Sequence, residues 1–482
     1  MKKVRFLWIL ALGFIWMTPL TTAEAAYSSH QNDQDISKFL EVYPFARSTK
    51  LDDCSLCHPG GKVTEGGKTK SYGSCDYCHI TYGLQPPHGE IPFNGYGQAY
   101  KDAGRSQEAL QNIEGLDSDG DSYGNLVEIR ALSFPGDKLD HPGLTPAPAV
   151  VMNQERILDL PHYNQLLLAN ASKSMDEYVE YRGARIGYLL SHVGLRPEAT
   201  QITVFAPDGF SKTFPLNAPD PQIPPNIQYD VMGPYPQGYY YGGLDFVNYS
   251  YDPGYPYDGY QIPDRLYMLL GYLRNGDPLE KGRLVPDPQN PGRLVLEGEG
   301  PYRLILPQKI AGGPDRPSTM APLKDGWDYD PNKDHNWGSS VRSVTAIRVE
   351  PLPPGSTDFK WTEGGWNLVD KAKVAIYGAI KPETCRVTGK VTDSGGNPLA
   401  DVQISFGLVS LGQVGKTTSG STGKFRQDLP AGEYVAIPSK PGYIFHPESI
   451  AFQLPGKNLS SSSVSFPRNI GYKMNFTASP VP

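Results

Sequence analysis

The sequence is poor in cysteine, in histidine and, beyond its first residues, in long apolar runs. Only five of its 482 residues are cysteine and nine are histidine. Its formal net charge of −7 excludes the basic excess that binding to nucleic acid or to an anionic membrane usually needs. No segment after residue 25 is apolar enough to predict a transmembrane helix.

Glycine and proline, in contrast, are abundant. The chain has 52 glycines and 46 prolines, which favour turns between short strands. Its length is typical of several domains, each large enough to bury a core. We therefore expect a multidomain, mostly β protein with α+β parts.

The N-terminus has the pattern of an export signal. Lys2, Lys3 and Arg5 precede the apolar run "FLWILALGFIWM", and the small residues "AEA" at 23–25 fit a cleavage site. A membrane anchor is the alternative, but it needs about 20 apolar residues, which exceeds this run. The pattern predicts removal of residues 1–25 and a location in the periplasm, at the cell surface or outside the cell.

Four of the five cysteines fall in two CxxCH units: Cys54, Cys57 and His58, then Cys75, Cys78 and His79. Four thiolates at this spacing also suit zinc, but zinc would leave both following histidines unexplained. CxxCH is the attachment signal of c-type haem, in which both thiols bond the porphyrin and the histidine ligates iron. The pattern predicts two covalent haems, with the two motif histidines as proximal ligands.

The sixth iron ligands are predicted from another absence. No methionine occurs between Met17 and Met152, so the haem region cannot supply a thioether ligand. His30 and His88 flank the two motifs and are the candidate distal ligands, whereas His141 is not expected to bind iron. Two histidine ligands at each haem favour a low reduction potential.

The stretch "LDSDGDSYGNLVEI" matches the oxygen-ligand loop of an EF-hand type calcium site. Ser122 stands where that loop normally has its turn glycine, and an acidic surface turn is the alternative reading. The candidate ligands of one Ca²⁺ are Asp117, Asp119, Asp121, the Tyr123 carbonyl, Asn125 and Glu128.

Composition divides the chain after residue 25 into three regions. We expect a dihaem domain over 26–145, a middle domain over 153–355 and a C-terminal domain over 383–482. The segment "HPGLTPAPAVV", residues 141–151, is typical of a Pro/Ala linker between the first two.

The middle region resembles the molybdopterin-binding domain of the sulfite oxidase family. The resemblance rests on "YRGARIGYLLSHVGL", "YMLLGYLRNGDPL" with "GEGPYRLILP", and "SSVRSVTAIRVE", which occur in the family's order. That family holds molybdenum with a cysteine thiolate, and the one cysteine outside the haem motifs, Cys385, lies beyond this domain. The resemblance therefore implies the fold without molybdopterin or catalysis.

The motif "GEGP" at 298–301, in a chain with two CxxCH units, resembles the GEGP motif-containing dihaem proteins. The resemblance implies a cytochrome family of metal-respiring bacteria. The C-terminal stretch "CRVTGKVTDSGGNPLADVQISFG" resembles a carboxypeptidase regulatory-like domain, for which an Ig-like β-sandwich is expected.

Together these features predict an exported dihaem c-type cytochrome that transfers electrons in periplasmic or extracellular respiration, without catalysing a reaction. Its partners would be other redox proteins of the periplasm or cell surface. Two alternatives stay open: a haem-coupled molybdenum oxidoreductase of the sulfite oxidase type, and a surface-binding protein.

Overall fold

A computed structural model describes most of the chain. The described residues are 34–65, 68–72, 92–172, 176–216, 266–288, 294–308, 315, 329–359, 365–408, 411–455 and 472–481. Several residues predicted from sequence lie outside these ranges, namely the signal segment 1–25, His30, Cys75, Cys78, His79 and His88. The described residues form a mostly β protein with several sheets, which confirms the expected fold class.

The α-helices of the described residues are all short. They are α1 (Gln34–Val42), α2 (Gly95–Asp102), α3 (Gln107–Asn112), α4 (Asn125–Ala131), α5 (Gln154–Leu158), α6 (Ile186–Val193) and α7 (Trp366–Asp370). Short 3-10 turns cover Pro44–Ala46, Cys54–Leu56 and Asn336–Ser339. No helix within the described ranges has the length and hydrophobicity needed to cross a bilayer.

Helices α1 to α4 gather around the first CxxCH unit. In α1 the apolar residues Ile36, Phe39 and Leu40 recur at the i, i+3, i+4 spacing and are all buried. Helix α2 begins at a side-chain cap, because the Asn94 carboxamide oxygen accepts a hydrogen bond from the Gly97 N–H at 2.8 Å. This region has its own apolar core.

Part of the connector between the CxxCH units is a β-hairpin. Strands β1 (Gly61–Glu65) and β2 (Lys68–Tyr72) pair antiparallel, and the register puts Gly61 opposite Tyr72. The connector therefore doubles back here instead of running extended.

The middle region contains two five-stranded sheets. The first is formed by β4 (His162–Ala169), β5 (Glu177–Arg185), β8 (Leu269–Arg274), β9 (Asp277–Pro278) and β12 (Arg303–Ile305). The second is formed by β3 (Ala149–Met152), β6 (Gln201–Phe205), β7 (Ser211–Pro215), β13 (Ala346–Glu350) and β14 (Val374–Gly378). The strand order of the first sheet is β12-β8-β5-β4, with β9 paired to β8, and that of the second is β3-β14-β13-β6-β7.

One apolar core joins these two sheets to helix α6. Ile186, Leu189 and Leu190 of α6 are fully buried in the same cluster as Val204 of one sheet and Leu270 of the other. A separate hairpin of β10 (Arg283–Pro286) and β11 (Leu294–Glu297) lies beside α7. Helix α6 thus packs against both sheets, which share no strand.

The prediction of a linker over residues 141–151 is partly wrong. Its last residues begin β3, which pairs with β14 in register, Val151 opposite Ala375. Ala147, Ala149 and Val151 are buried. Proline and alanine suit a linker, but they suit the start of an edge strand equally well when the residues that follow are apolar.

The C-terminal region is a sandwich of two four-stranded sheets, ordered β18-β15-β22-β20 and β17-β16-β19-β21. The strands are β15 (Thr384–Asp393), β16 (Gln403–Leu408), β17 (Gly412–Thr418), β18 (Lys424–Pro430), β19 (Gly432–Ser439), β20 (Tyr443–His446), β21 (Ile450–Leu454) and β22 (Tyr472–Pro480). Alternate residues such as Phe406, Phe425 and Phe476 fill the space between the sheets. The Ig-like sandwich expected from the family resemblance of this region is confirmed.

The three regions are joined by buried contacts. Val435 and Ile437 of the sandwich belong to the core of the CxxCH region. Ala149 and Val151 of the middle region belong to the core of the sandwich. A salt bridge of 2.9 Å from Lys373 to Glu433 lies along the second of these contacts. The sandwich is therefore packed against both other regions.

Truncating Met152 tests whether β3 (Ala149–Met152) is packed into the core. Met152 is fully buried, so Met152→Ala should cost about 2–5 kcal/mol and lower the thermal midpoint of the full chain by several degrees. Leu158→Ala is the control, because Leu158 is 42% exposed in the next helix and should change the midpoint little. Equal small effects of both variants would contradict the packing of β3.

Candidate functional site

The first CxxCH unit folds as one turn that gathers its three reactive side chains. The Cys57 and His58 N–H groups both donate to the Cys54 carbonyl, at 3.2 and 3.0 Å. Asp53 caps the turn by accepting hydrogen bonds from Ser55 N–H at 2.9 Å and Ser55 O–H at 2.7 Å. Residues at i, i+3 and i+4 of a helical turn share one face, so both thiols and the imidazole lie on the same side.

The imidazole of His58 is held by the chain that leads into α2. Its Nδ1 lies 2.9 Å from the Pro92 carbonyl oxygen, and its ring packs 4.9 Å from the Phe93 ring centroid. Because a carbonyl only accepts, Nδ1 must carry the proton, and Nε2 is then the nitrogen with the lone pair. A second hydrogen bond of this kind is what orients a metal-binding histidine.

A cavity of about 410 Å³ opens beside this turn. Cavities that hold small molecules and cofactors are typically about 300–1,000 Å³ and mostly apolar. Besides Cys54, Cys57 and His58, the wall contains a set of apolar side chains, which are Ile36, Phe39, Leu56, Phe93 and Leu110. Size, apolar wall, two thiols and an oriented imidazole together fit a covalently attached haem.

The cavity also has charged residues in its wall. Asp35, Lys101 and Arg105 all line it. The Arg105 Nε donates to Asp35 at 3.0 Å. Burial opposes ionisation of Asp35, but the hydrogen bonds and positive charge of Arg105 outweigh it and hold the pKa of this carboxyl below its usual value. The wall therefore offers cationic groups as well as apolar ones.

The acidic loop brings three carboxylates together. Ligand oxygens of Asp117, Asp119 and Asp121 lie within 4.8 Å of one another. Asp117 Oδ1 accepts the Gly120 N–H at 2.7 Å, and its Oδ2 accepts the Ser122 N–H at 2.9 Å. These bonds fold the loop around the carboxylate, as in the oxygen-ligand loops that bind calcium.

Glu128, the predicted last ligand, is the most unusual carboxylate of the described residues. It is fully buried, and neither carboxylate oxygen has a hydrogen-bond partner among the described residues. Burial, together with the negative charges of Asp119 and Asp121, raises its pKa to about 9. Burial and the charge of Asp121 also raise the pKa of Asp119, to about 6. A buried carboxylate without a partner is costly, and a hard divalent cation would satisfy it.

Of the two remaining predicted ligands, Asn125 and the Tyr123 carbonyl, Asn125 has structural partners through its side chain. The Asn125 carboxamide accepts the Ser118 N–H at 3.3 Å and donates to the Ile113 carbonyl at 2.8 Å. Tyr123 stacks on His141 with ring centroids 5.5 Å apart. Asn125 therefore fixes the shape of the loop through its own hydrogen bonds.

Ser122 adopts the backbone conformation that the turn glycine of such loops provides. Its φ is +83°, in the left-handed region that disfavours residues with a Cβ. The departure noted in the sequence is therefore a local strain, and the loop keeps its path.

The GEGP motif has a role that its sequence did not reveal. The Glu299 carboxylate is bound by Arg303 at 2.8 Å, by Arg274 at 3.1 Å and by the Tyr181 hydroxyl at 2.9 Å. Arg303 is 5% exposed and lies 3.6 Å from the centroid of the Trp337 ring. Sequence reasoning treated the motif as a turn and missed this buried ion-pair network. A charged residue between two glycines, followed by an arginine, was the available signal.

Comparison with known proteins identifies the C-terminal region. Residues 386–453 match the carboxypeptidase regulatory-like domain, which confirms that part of the expected resemblance. No curated protein matches the chain. The match covers most of the sandwich, without β22, and says nothing of the CxxCH and middle regions.

The chain is also similar to parts of several solved structures. One is 3-chlorocatechol 1,2-dioxygenase from Rhodococcus opacus 1CP, at 17% identity over 21% of this chain and 61% of that one, with a TM-score of 0.16. Another is the shaft pilin SpaA of Lactobacillus rhamnosus GG, at 13% identity over 20% and 49%, with a TM-score of 0.17. A third is BcpA, the major pilin subunit of Bacillus cereus, at 19% identity over 20% and 29%, with a TM-score of 0.16. Likenesses this weak carry no functional inference.

Replacing Ser122 by glycine should stabilise the protein. The left-handed backbone costs a residue with a Cβ about 1–2 kcal/mol, so Ser122→Gly should raise the thermal midpoint. Ser118→Gly is the matched control in the same loop; Ser118 lies outside the left-handed region, and glycine there should lower the midpoint slightly. Two variants that shift the midpoint in the same direction would contradict the assigned strain.

Proposed function

We propose that this protein is an exported dihaem c-type cytochrome that transfers electrons between redox proteins of the periplasm or cell surface. The cavity beside Cys54, Cys57 and His58 carries the proposal. It combines both attachment thiols, a wall of apolar side chains and an imidazole whose Nδ1 is engaged by the Pro92 carbonyl.

Each side chain of the cavity has a task in this function. Cys54 and Cys57 would form the thioether bonds, and His58 Nε2 would bind the iron from one side. Bound haem supplies reversible one-electron chemistry. Lys101 provides positive charge that suits the haem carboxylates, Arg105 is paired with Asp35 beside it, and the apolar wall limits the access of water. The second motif, Cys75, Cys78 and His79, has the residue types for the same tasks.

His30 and His88 remain the proposed distal ligands. His30 lies only four residues before α1, whose Asp35, Ile36 and Phe39 line the cavity. A chain of that length spans at most about 14 Å. This short separation in the sequence supports His30 as a ligand at the haem of the first motif.

The middle region is proposed as a scaffold without molybdenum. The one cysteine not committed to haem attachment, Cys385, lies on β15 of the sandwich, where burial and the charge of Glu383 raise the pKa of its thiol. A half-buried thiol whose pKa is raised is a poor metal ligand. We therefore propose that this region supports the docking of redox partners. This role would suit the GEGP motif-containing dihaem proteins that the sequence resembles.

Removing one pair of attachment thiols tests the proposal. The wild-type chain, produced in a host that matures c-type haem, should contain two irons and two covalent haems by elemental analysis and intact mass. Cys54→Ser/Cys57→Ser should retain one haem, and Cys385→Ser, the matched control, should retain two. Zinc in place of iron in the wild-type chain would overturn the proposal.

Exchanging a distal ligand should change the reduction potential. A methionine ligand raises the potential relative to histidine, so His30→Met should raise that of one haem on the order of 100 mV. His141→Met is the control, since His141 stacks on Tyr123 away from the cavity wall, and it should leave both potentials unchanged. An unchanged titration curve for His30→Met would assign the distal position to another residue.

A further inference from the structure

Helix α4 belongs to two parts of the molecule. It follows directly from the acidic loop and carries Glu128 one turn from its start. Its other end contacts the C-terminal sandwich, where the Arg130 guanidinium donates to the Pro438 carbonyl at 3.4 Å and lies 5.8 Å from the Phe45 ring centroid. One short helix therefore connects the carboxylate cluster to the sandwich.

The contact of α4 with the sandwich, called the seam below, is apolar and closely packed. Ile129 and Leu132 are fully buried in one cluster with Val435 and Ile437 of β19. Leu132 ends the helix with a φ of +58°, and a Cβ added at Gly407 of β16 would overlap its side chain. A displacement of α4 would therefore open this seam, because packed interiors do not deform continuously.

The acidic loop also contacts the start of α2, which is itself bonded to the turn that carries the first CxxCH unit. A Cβ added at Gly95 would overlap the Ser118 carbonyl oxygen, so loop and α2 touch at their backbones. The preceding residue, Asn94, donates from its Nδ2 to the Ser55 and Leu56 carbonyls at 3.2 and 3.1 Å. Asn94 thereby links the start of α2, which contacts the acidic loop, to the turn that carries the first CxxCH unit.

The loop lacks the positive charge that this arrangement needs. Asp117, Asp119 and Asp121 converge, and Glu128 is fully buried without a hydrogen-bond partner among the described residues. One oxygen of Asp119 and one of Asp121 are likewise buried without a partner. Calcium is the hard cation that takes six to eight such oxygens at flexible geometry.

We propose that Asp117, Asp119, Asp121 and Glu128 bind one Ca²⁺, and that this ion fastens the CxxCH region to the C-terminal sandwich through α4. A ligand that binds the docked arrangement more tightly than the undocked one stabilises docking. By linkage, loss of docking must weaken calcium binding by the same factor. The proposal rests on the loop and the seam and is independent of haem attachment.

Hydrogen exchange on the full-length, haem-loaded protein tests whether Ca²⁺ stabilises the sandwich as well as the loop. Adding Ca²⁺ should slow exchange of the amides in β16 and β19 about tenfold or more, in addition to those of the loop. Glu128→Gln, which keeps the volume but cannot supply a carboxylate ligand, should abolish the response. Glu155→Gln is the control, because Glu155 is exposed in α5 outside the loop. Slower exchange confined to residues 117–128 would contradict the proposal that Ca²⁺ holds the CxxCH region against the sandwich.

Calorimetric titration with Ca²⁺ tests the reverse direction. Leu132→Asp buries a charge in the seam without changing a ligand, and should weaken calcium binding about tenfold relative to the wild type. Leu139→Asp, at a 68% exposed position, is the matched control and should bind Ca²⁺ as the wild type does. An unchanged affinity in Leu132→Asp overturns the coupling, and no binding to the wild type overturns the site. Either result leaves a haem count of two, and so the proposed function, intact.

Discussion

The burial of one carboxyl group, that of Glu128, is the constraint on which the arrangement of this protein depends. Glu128 is removed from water on a helix that packs against the sandwich, and burial together with the negative charges of Asp119 and Asp121 raises its pKa to about 9. Without a cation this carboxyl therefore keeps its proton at neutral pH, and a bound cation would favour its charged form. The same helix is held by apolar packing on its other side. The fold therefore combines an apolar seam, which is favourable by itself, with a charged loop that needs a counter-ion.

The local chemistry of the site was readable from sequence, whereas its connections were not. The spacing of Cys54, Cys57 and His58 predicted a haem attachment unit, and the alternating aspartates predicted an oxygen-ligand loop. Asn94 could not be singled out, because its hydrogen bonds to two carbonyls depend on where α2 packs. The backbone contact of Gly95 with Ser118, which puts the loop against α2, likewise appears only in the structure. The fold class followed from the abundance of glycine and proline and the sandwich from the family resemblance, but strand β3 (Ala149–Met152) was hidden by proline and alanine.

One overlooked signal did predict that the regions pack together. In β19, "YVAI" has no polar alternation: Tyr434 and Ala436 face the sandwich core, while Val435 and Ile437 belong to the core of the CxxCH region. A strand of an antiparallel sandwich normally shows one polar face, so an uninterrupted apolar run indicates that both faces are covered. A spacer domain on a tether would not need such a strand.

If the proposed function holds, the covered outer face of β19 limits how this protein would exchange electrons. A haem bound in a region that shares buried residues with its neighbours would have a fixed orientation and would not swing between a donor and an acceptor as a tethered domain does. Its partners would instead have to diffuse to it and bind in a geometry set by the rest of the molecule. The sandwich and the middle region would then act as a steric frame that decides which partners can approach the haem edge.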